Sequence, residues 1–345
     1  MKPLNALVRP NIQNLLRADQ PAPDAAAPVD LAHQESPFNA PLNRFTTDAE
    51  YAALTAAFAR EKHVDARQIV FSIGQTSPVD NLLRVFCTPK RDNIILHEPS
   101  LRSYKRVAVL NEVEYRSCPL VPAFQLNVDA MLAAANHQTK LMLLCSPNVP
   151  TGQLLDRECI LSLADRFDGL VVVDETFVEF SRSKSLVEEI SAHPNIVVVG
   201  MLSAAHSLAA LSLGYVIAAA PIAAVLRQLQ PAASLPRPVV DAAVEMLTRN
   251  RFDIDKWVQW TLEERTKVMV AVRSLPLCRE LYPSAANFFM FRVDDAAALA
   301  AYLRAEGVNV ADCTPYPGCT NCLSATVGLT NDNNALLGAL RRYGI

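Results

Sequence analysis

What most constrains this chain is a series of short, wholly apolar runs separated by helical segments. Leu141-Met142-Leu143-Leu144-Cys145 and Leu170-Val171-Val172-Val173 are the clearest, and residues 195–199 and 213–219 have the same character. None alternates polar with apolar residues. Strands of that kind are buried on both faces, as parallel strands are when helices cover them. Further strands are expected at 69–73, closed by Gly74, and at 93–96 and 112–116. Helical spacing falls between them, at 51–61, 78–86, 101–110, 129–135 and 157–166. This alternation predicts an open α/β sheet, mostly parallel and seven-stranded. Ligands of such sheets sit beyond the carboxyl ends of the strands. The loops 146–152, 174–177 and 203–207 therefore become the candidate site.

After residue 230 the pattern changes. Pro231, Pro236 and Pro238 mark a break, and 239–275 carries one long helical periodicity. Strands at 287–293, 308–311 and 323–327 and helices at 296–305 and 333–343 complete an α+β module. The expected division is an N-terminal arm over 1–45, a large α/β domain over 46–235 and a small C-terminal α+β domain over 236–345. Residues 18–30 are rich in proline and alanine and read as an extended arm.

Composition excludes several classes. The 345 residues carry 32 Lys+Arg against 35 Asp+Glu, a formal charge of −3, so no basic footprint for nucleic acid is present. No apolar run approaches the roughly 18–20 residues that cross a bilayer. The opening residues lack the apolar stretch of a secretory signal, and Cys87, Cys118, Cys145 and Cys159 sit within apolar surroundings. Reduced, packed thiols in a cytoplasmic protein are expected. Motifs for phosphate loops, dinucleotide binding, zinc proteases and serine hydrolases are absent from the sequence.

The strand-end loops carry a more specific signal. Pro147-Asn148-Val149-Pro150-Thr151-Gly152 follows one strand, Asp174-Glu175-Thr176-Phe177 the next, and Ser203-Ala204-Ala205-His206 a third. Leu7-Val8-Arg9-Pro10-Asn11-Ile12 lies near the start and Val327-Gly328 near the end. In this order the motifs resemble the histidinol-phosphate aminotransferase family over nearly the whole chain. The resemblance implies fold type I, dependence on pyridoxal phosphate (PLP), a large and a small domain, and a homodimer with the proline-rich arm near its interface.

Carried over residue by residue, the resemblance implies a stripped site. Where the family turn offers an Asn amide to the cofactor's ring oxygen, this chain has Val149, after Asn148. Asp174 matches the aspartate that meets the pyridinium nitrogen, but the following tyrosine is Phe177. Ser203 matches, while the Schiff-base lysine position is Ala204. The phosphate-clamping arginine is Ser212, the arginine that grips substrate carboxylate is Ser324, and a tyrosine given across the dimer is Phe45. The glycine-rich loop is represented by Gly74, Gln75 and Thr76, followed by Ser77 and Pro78, which has no N–H. Tyr104 persists in the helix that follows Pro99, where Leu101 replaces a second tyrosine.

Transamination needs an amine to bind the cofactor and move a proton, and alanine supplies neither. The lost guanidinium alone is worth about 1.5–3 kcal/mol of charge-assisted contact. The expectation is a pseudoenzyme that acts by binding a ligand or a partner, the partner being a second copy or a related aminotransferase subunit. The alternative is an enzyme with altered chemistry that holds PLP or another small anion non-covalently. A conventional PLP-dependent aminotransferase is the third reading.

Four further features call for a reading of their own. Asp174 and Glu175 could share acid–base work, but neighbours on a strand face opposite ways. His206 is either a catalytic candidate or a packed side chain. Cys313, Cys319 and Cys322 have the spacing of a metal or redox knuckle, or simply pack. Arg102, Lys105 and Arg106 form a small basic patch, in which Arg102 could serve as an anion clamp if it faces the cleft.

Overall fold

The computed structural model describes residues 2–17 and 34–343. The proline- and alanine-rich stretch 18–30, expected to form an arm, lies outside the described residues. Seven strands form one sheet: β1 (Ile69–Ile73), β2 (Asn93–Glu98), β3 (Glu114–Pro119), β4 (Thr139–Cys145), β5 (Leu170–Asp174), β6 (Ile196–Met201) and β7 (Leu213–Ile217). Their spatial order is β1-β7-β6-β5-β4-β2-β3. All pairings from β3 through β6 are parallel, and β7 runs antiparallel to both β6 and β1. Apolar runs carry no sign of direction, so this one reversal was not legible in them.

The apolar strands are buried on both faces, as their composition demands. Leu141, Met142, Leu143 and Leu144 are each at most 1% exposed. One face packs Phe58, Phe71 and Tyr215 with the helices Asp48–Lys62 and Arg237–Thr248. The other packs Leu82, Phe86 and Val107 and also takes Leu7 and Val8 from the N-terminal segment. β3 is an edge strand with an exposed pattern, and its polar sequence shifts it two residues beyond the expected start.

A second sheet, in the order β10-β11-β9-β8, comprises β8 (Glu280–Leu281), β9 (Phe288–Arg292), β10 (Ala311–Asp312) and β11 (Cys322–Thr326). The strand expected at 308–311 is reduced to its last residue and the next. The single helix expected over 239–275 is two, Arg237–Thr248 and Arg251–Arg273. The first joins the core of the large sheet through Val240, Ala243 and Leu247. The second joins the core of the small sheet through Val268 and Val272. Among the described residues no helix is long and apolar enough to cross a membrane.

The two units meet at the turn after β4. Gly152 lies at φ +72°, where a Cβ would stand 2.6 Å from the Ser284 hydroxyl oxygen. The Ala285 N–H donates to the Gly152 carbonyl at 2.6 Å. Only glycine allows that backbone to approach so closely in that conformation.

Candidate functional site

The carboxyl ends of the parallel strands open toward the small sheet, as the α/β rule requires. Two adjoining cavities there share walls. The smaller, about 170 Å³, is bordered by Gln75, Thr76, Tyr104, Asp174, Phe177 and Ser203, with apolar walls from Pro78, Val79, Val199 and Met201. The larger, about 730 Å³, lies between the units and takes Leu101, Arg102, Val149 and Phe177 from one side and Phe288, Asp312, Tyr316, Ser324 and Asp332 from the other. Leu101 and Phe177 border both.

Asp174 ends β5 on the floor of the smaller cavity. Its Oδ1 accepts the Thr176 N–H at 2.9 Å and the Thr176 hydroxyl at 2.6 Å, a local turn of the kind aspartate favours. Its Oδ2 accepts the Tyr104 hydroxyl at 2.7 Å. Desolvation raises its pKa, and the bonds from Thr176 and Tyr104 oppose that rise. Burial beside Asp174 also lifts the Tyr104 phenol well above its usual range, so it stays a donor. Glu175 points the other way, to the Ser185 hydroxyl and to the Leu186 N–H at 2.8 Å. The pair does not share a site.

Ala204 does not border the smaller cavity. It packs with Phe177, Phe180, Val258 and Leu262. Lysines occur only at positions 2, 62, 90, 105, 140, 184, 256 and 267. Lys2 and Lys140 bond backbone carbonyls, and the others pair with carboxylates. None borders either cavity.

Several expected site residues lie elsewhere. His206 is 2% exposed, and its Nε2 is 2.8 Å from Glu61 Oε1, away from both cavities. It is a packed side chain, not a group of the cleft. Asn148 is fully buried and donates to the Pro99 carbonyl and the Thr151 hydroxyl, each at 3.1 Å. It fastens the turn and borders neither cavity. Gly74 and Ser212 are held to each other, Gly74 N–H to Ser212 carbonyl at 2.8 Å, and border neither. Phe45 is 55% exposed outside the cleft. Leu101, Val149 and Phe177 line the larger cavity without closing it.

Cys313, Cys319 and Cys322 are buried with Tyr282 and Met290. Burial pushes the first two thiols up to about 12 and raises the third, which makes them poor nucleophiles. Among the described residues no group of three His, Cys, Asp or Glu could hold a metal. Sequence reasoning missed the cleft's Asp312, Tyr316 and Asp332, since only the tertiary fold brings the small sheet there. It could have found Thr176, whose position two after Asp174 is an Asx-turn signal.

Residues 17–339 match the family model described as aminotransferase class I and II. Histidinol-phosphate aminotransferase of Bacteroides fragilis is 36% identical over 346 aligned positions, covering 99% of this chain and all of that one. Its counterpart in Flavobacterium psychrophilum is 32% identical, covering 98% of each. Among solved structures, histidinol-phosphate aminotransferase from Clostridium acetobutylicum superposes with a TM-score of 0.78 at 18% identity, over 87% of this chain and 90% of that one. The Sinorhizobium meliloti enzyme, solved in complex with pyridoxal-5'-phosphate, gives 0.75 at 18% identity, over 86% and 82%.

Proposed function

This chain belongs to the class I and II aminotransferase family and is histidinol-phosphate aminotransferase-like within it, and we propose that it binds a small ligand in the inter-unit cleft without lysine-based transamination. What carries this reading is that among the described residues no amine borders either cavity, with Ala204 at the position where the family resemblance expects the Schiff-base lysine.

The residues present do not fit PLP. The cavity over Asp174 is about 170 Å³, below the roughly 300–1,000 Å³ of ligand pockets. Among the described residues Asp174 is the only charged group on its wall, so a phosphate dianion would meet no cation from them. Buried charge without a partner is strongly disfavoured. No step through that cofactor is derived for this chain.

What supports ligand binding is the larger cavity. Its 730 Å³ lies inside the pocket range and combines apolar walls with a few polar groups. Phe38, Leu42 and Phe45 are 77%, 62% and 55% exposed, which supports a partner subunit over that segment. Sedimentation is expected to give twice the 37.7 kDa chain mass; a monomer at micromolar concentration overturns the pairing.

The conventional transaminase is the second reading, favoured by full-length identity to enzymes of that name. One experiment separates the two. The purified chain is titrated with PLP, reduced with borohydride and weighed intact. An unshifted cofactor spectrum and unchanged mass are expected. A stable adduct on any lysine overturns the proposal and returns the chain to transamination.

A further inference from the structure

We propose that Arg102, stacked on Tyr316, anchors the carboxylate of an acid with an apolar body in the larger cavity. This rests on the reading of that cavity as a ligand site and names the chemistry of its ligand.

Among the described residues Arg102 is the only basic side chain bordering the cavity. Its guanidinium carbon lies 4.5 Å from the Tyr316 ring centroid, a cation–π contact at the cavity wall. Among the described residues it makes no hydrogen bond and no ion pair. The two carboxylates of the cavity are already engaged by backbone. Asp312 accepts the Thr314 N–H at 2.8 Å, and Asp332 accepts the Leu329 N–H at 3.0 Å at the start of the helix Thr330–Arg342. Among the described residues Arg102 is thus the one charged side chain of the cavity without a hydrogen-bonding partner. A planar fork with free donors matches a carboxylate in two parallel bonds.

The rest of the wall selects the body and the charge of the ligand. Phe177 and Phe288 meet edge to face, centroids 5.2 Å apart, beside Leu101 and Val149. That surface suits an apolar or aromatic group. Two carboxylates beside the one cation repel a dianion more than a single negative charge. Ser324 borders the same cavity but brings no charge.

The test titrates the full chain with 3-phenylpropionate, its neutral amide and inorganic phosphate, followed by ligand-observed NMR and calorimetry. The wild type is expected to bind the acid at least about tenfold more tightly than the amide or phosphate, in keeping with a charge-assisted pair. Arg102→Gln is expected to lose at least that factor for the acid and nothing for the amide, with an unchanged melting temperature. Arg102→Lys, which keeps the charge but not the fork, should fall between. Equal binding of the acid by wild type and Arg102→Gln overturns the anchor while the cavity remains a ligand site. Binding of none of the three probes overturns the anchor as well. Phosphate bound as tightly as the acid overturns the single-charge preference. Failure of the lysine-free reading is separate, since a reduced PLP adduct marks it.

Discussion

Replacing Glu61 by alanine is expected to lower the unfolding free energy by about 3–5 kcal/mol at pH 7, the usual cost of removing one partner of a buried pair. Its side chain is 5% exposed. Around it lie His206 at 2.8 Å, Arg251 at 2.8 Å and Lys62 at 3.4 Å. Burial by itself would raise its pKa. The His206 hydrogen bond and charge, with the Lys62 and Arg251 charges, outweigh burial and hold the carboxyl at about 2. The folded value lies below the reference value of 4.5. The stabilisation is therefore complete above about pH 4.5 and is lost as the pH falls through about 2. At ~1.4 kcal/mol per unit it is of the order of 3 kcal/mol. Urea unfolding of wild type and Glu61→Ala across pH 7 to 3 checks it. The gap should narrow below pH 4.5; a gap under about 1 kcal/mol at pH 7 refutes the assignment.

Glu175→Gln should do the reverse. Glu175 is 3% exposed and has no cation within bonding distance, only the Ser185 hydroxyl and the Leu186 N–H. Burial dominates and lifts its pKa from 4.5 to about 7, with those two bonds opposing. Between these values the folded chain holds a proton that the unfolded chain releases. Stability attributable to this residue therefore falls as the pH rises through that window, by up to about 3 kcal/mol. The amide keeps an acceptor for Leu186 and carries no charge. Glu175→Gln is expected to be about 2–3 kcal/mol more stable than wild type at pH 8.5 and little different near pH 5. The same difference at both values would show that Glu175 is not protonated in the fold.

These two glutamates also mark where sequence reasoning reached its limit. Both lie in ordinary-looking segments, and their opposite behaviour depends on what the tertiary fold sets against them. The strands were legible because continuous apolar runs such as Leu141 to Cys145 admit one environment, burial on both faces. Strand direction was not, so the antiparallel β7 escaped notice. The break between the helices Arg237–Thr248 and Arg251–Arg273 was hidden because apolar periodicity continues through residues that change partner cores. At the site, Asp174 and Phe177 fell where strand-end loops place them, and Tyr104 in the helix that follows Pro99. His206, only two positions after Ala204, turned away to Glu61, because loop side chains follow no fixed period. Arg102 could be suspected from its place after Pro99. Its stacking on Tyr316 could not, since the partner is more than 200 residues away.

The bonding of Asp174 bears on how the protein persists in a cell. Three donors from Tyr104 and Thr176 satisfy that carboxylate from within. A protein whose pocket floor needs an external cation is stabilised by its ligand, and its abundance rises and falls with supply. Here the floor closes on itself. The chain is expected to accumulate at the same level whether or not cells are starved of pyridoxine, and to lose no more to proteolysis under starvation. Such independence frees the loops around the cleft to change by mutation without first endangering the fold, the condition under which an old scaffold acquires a new ligand.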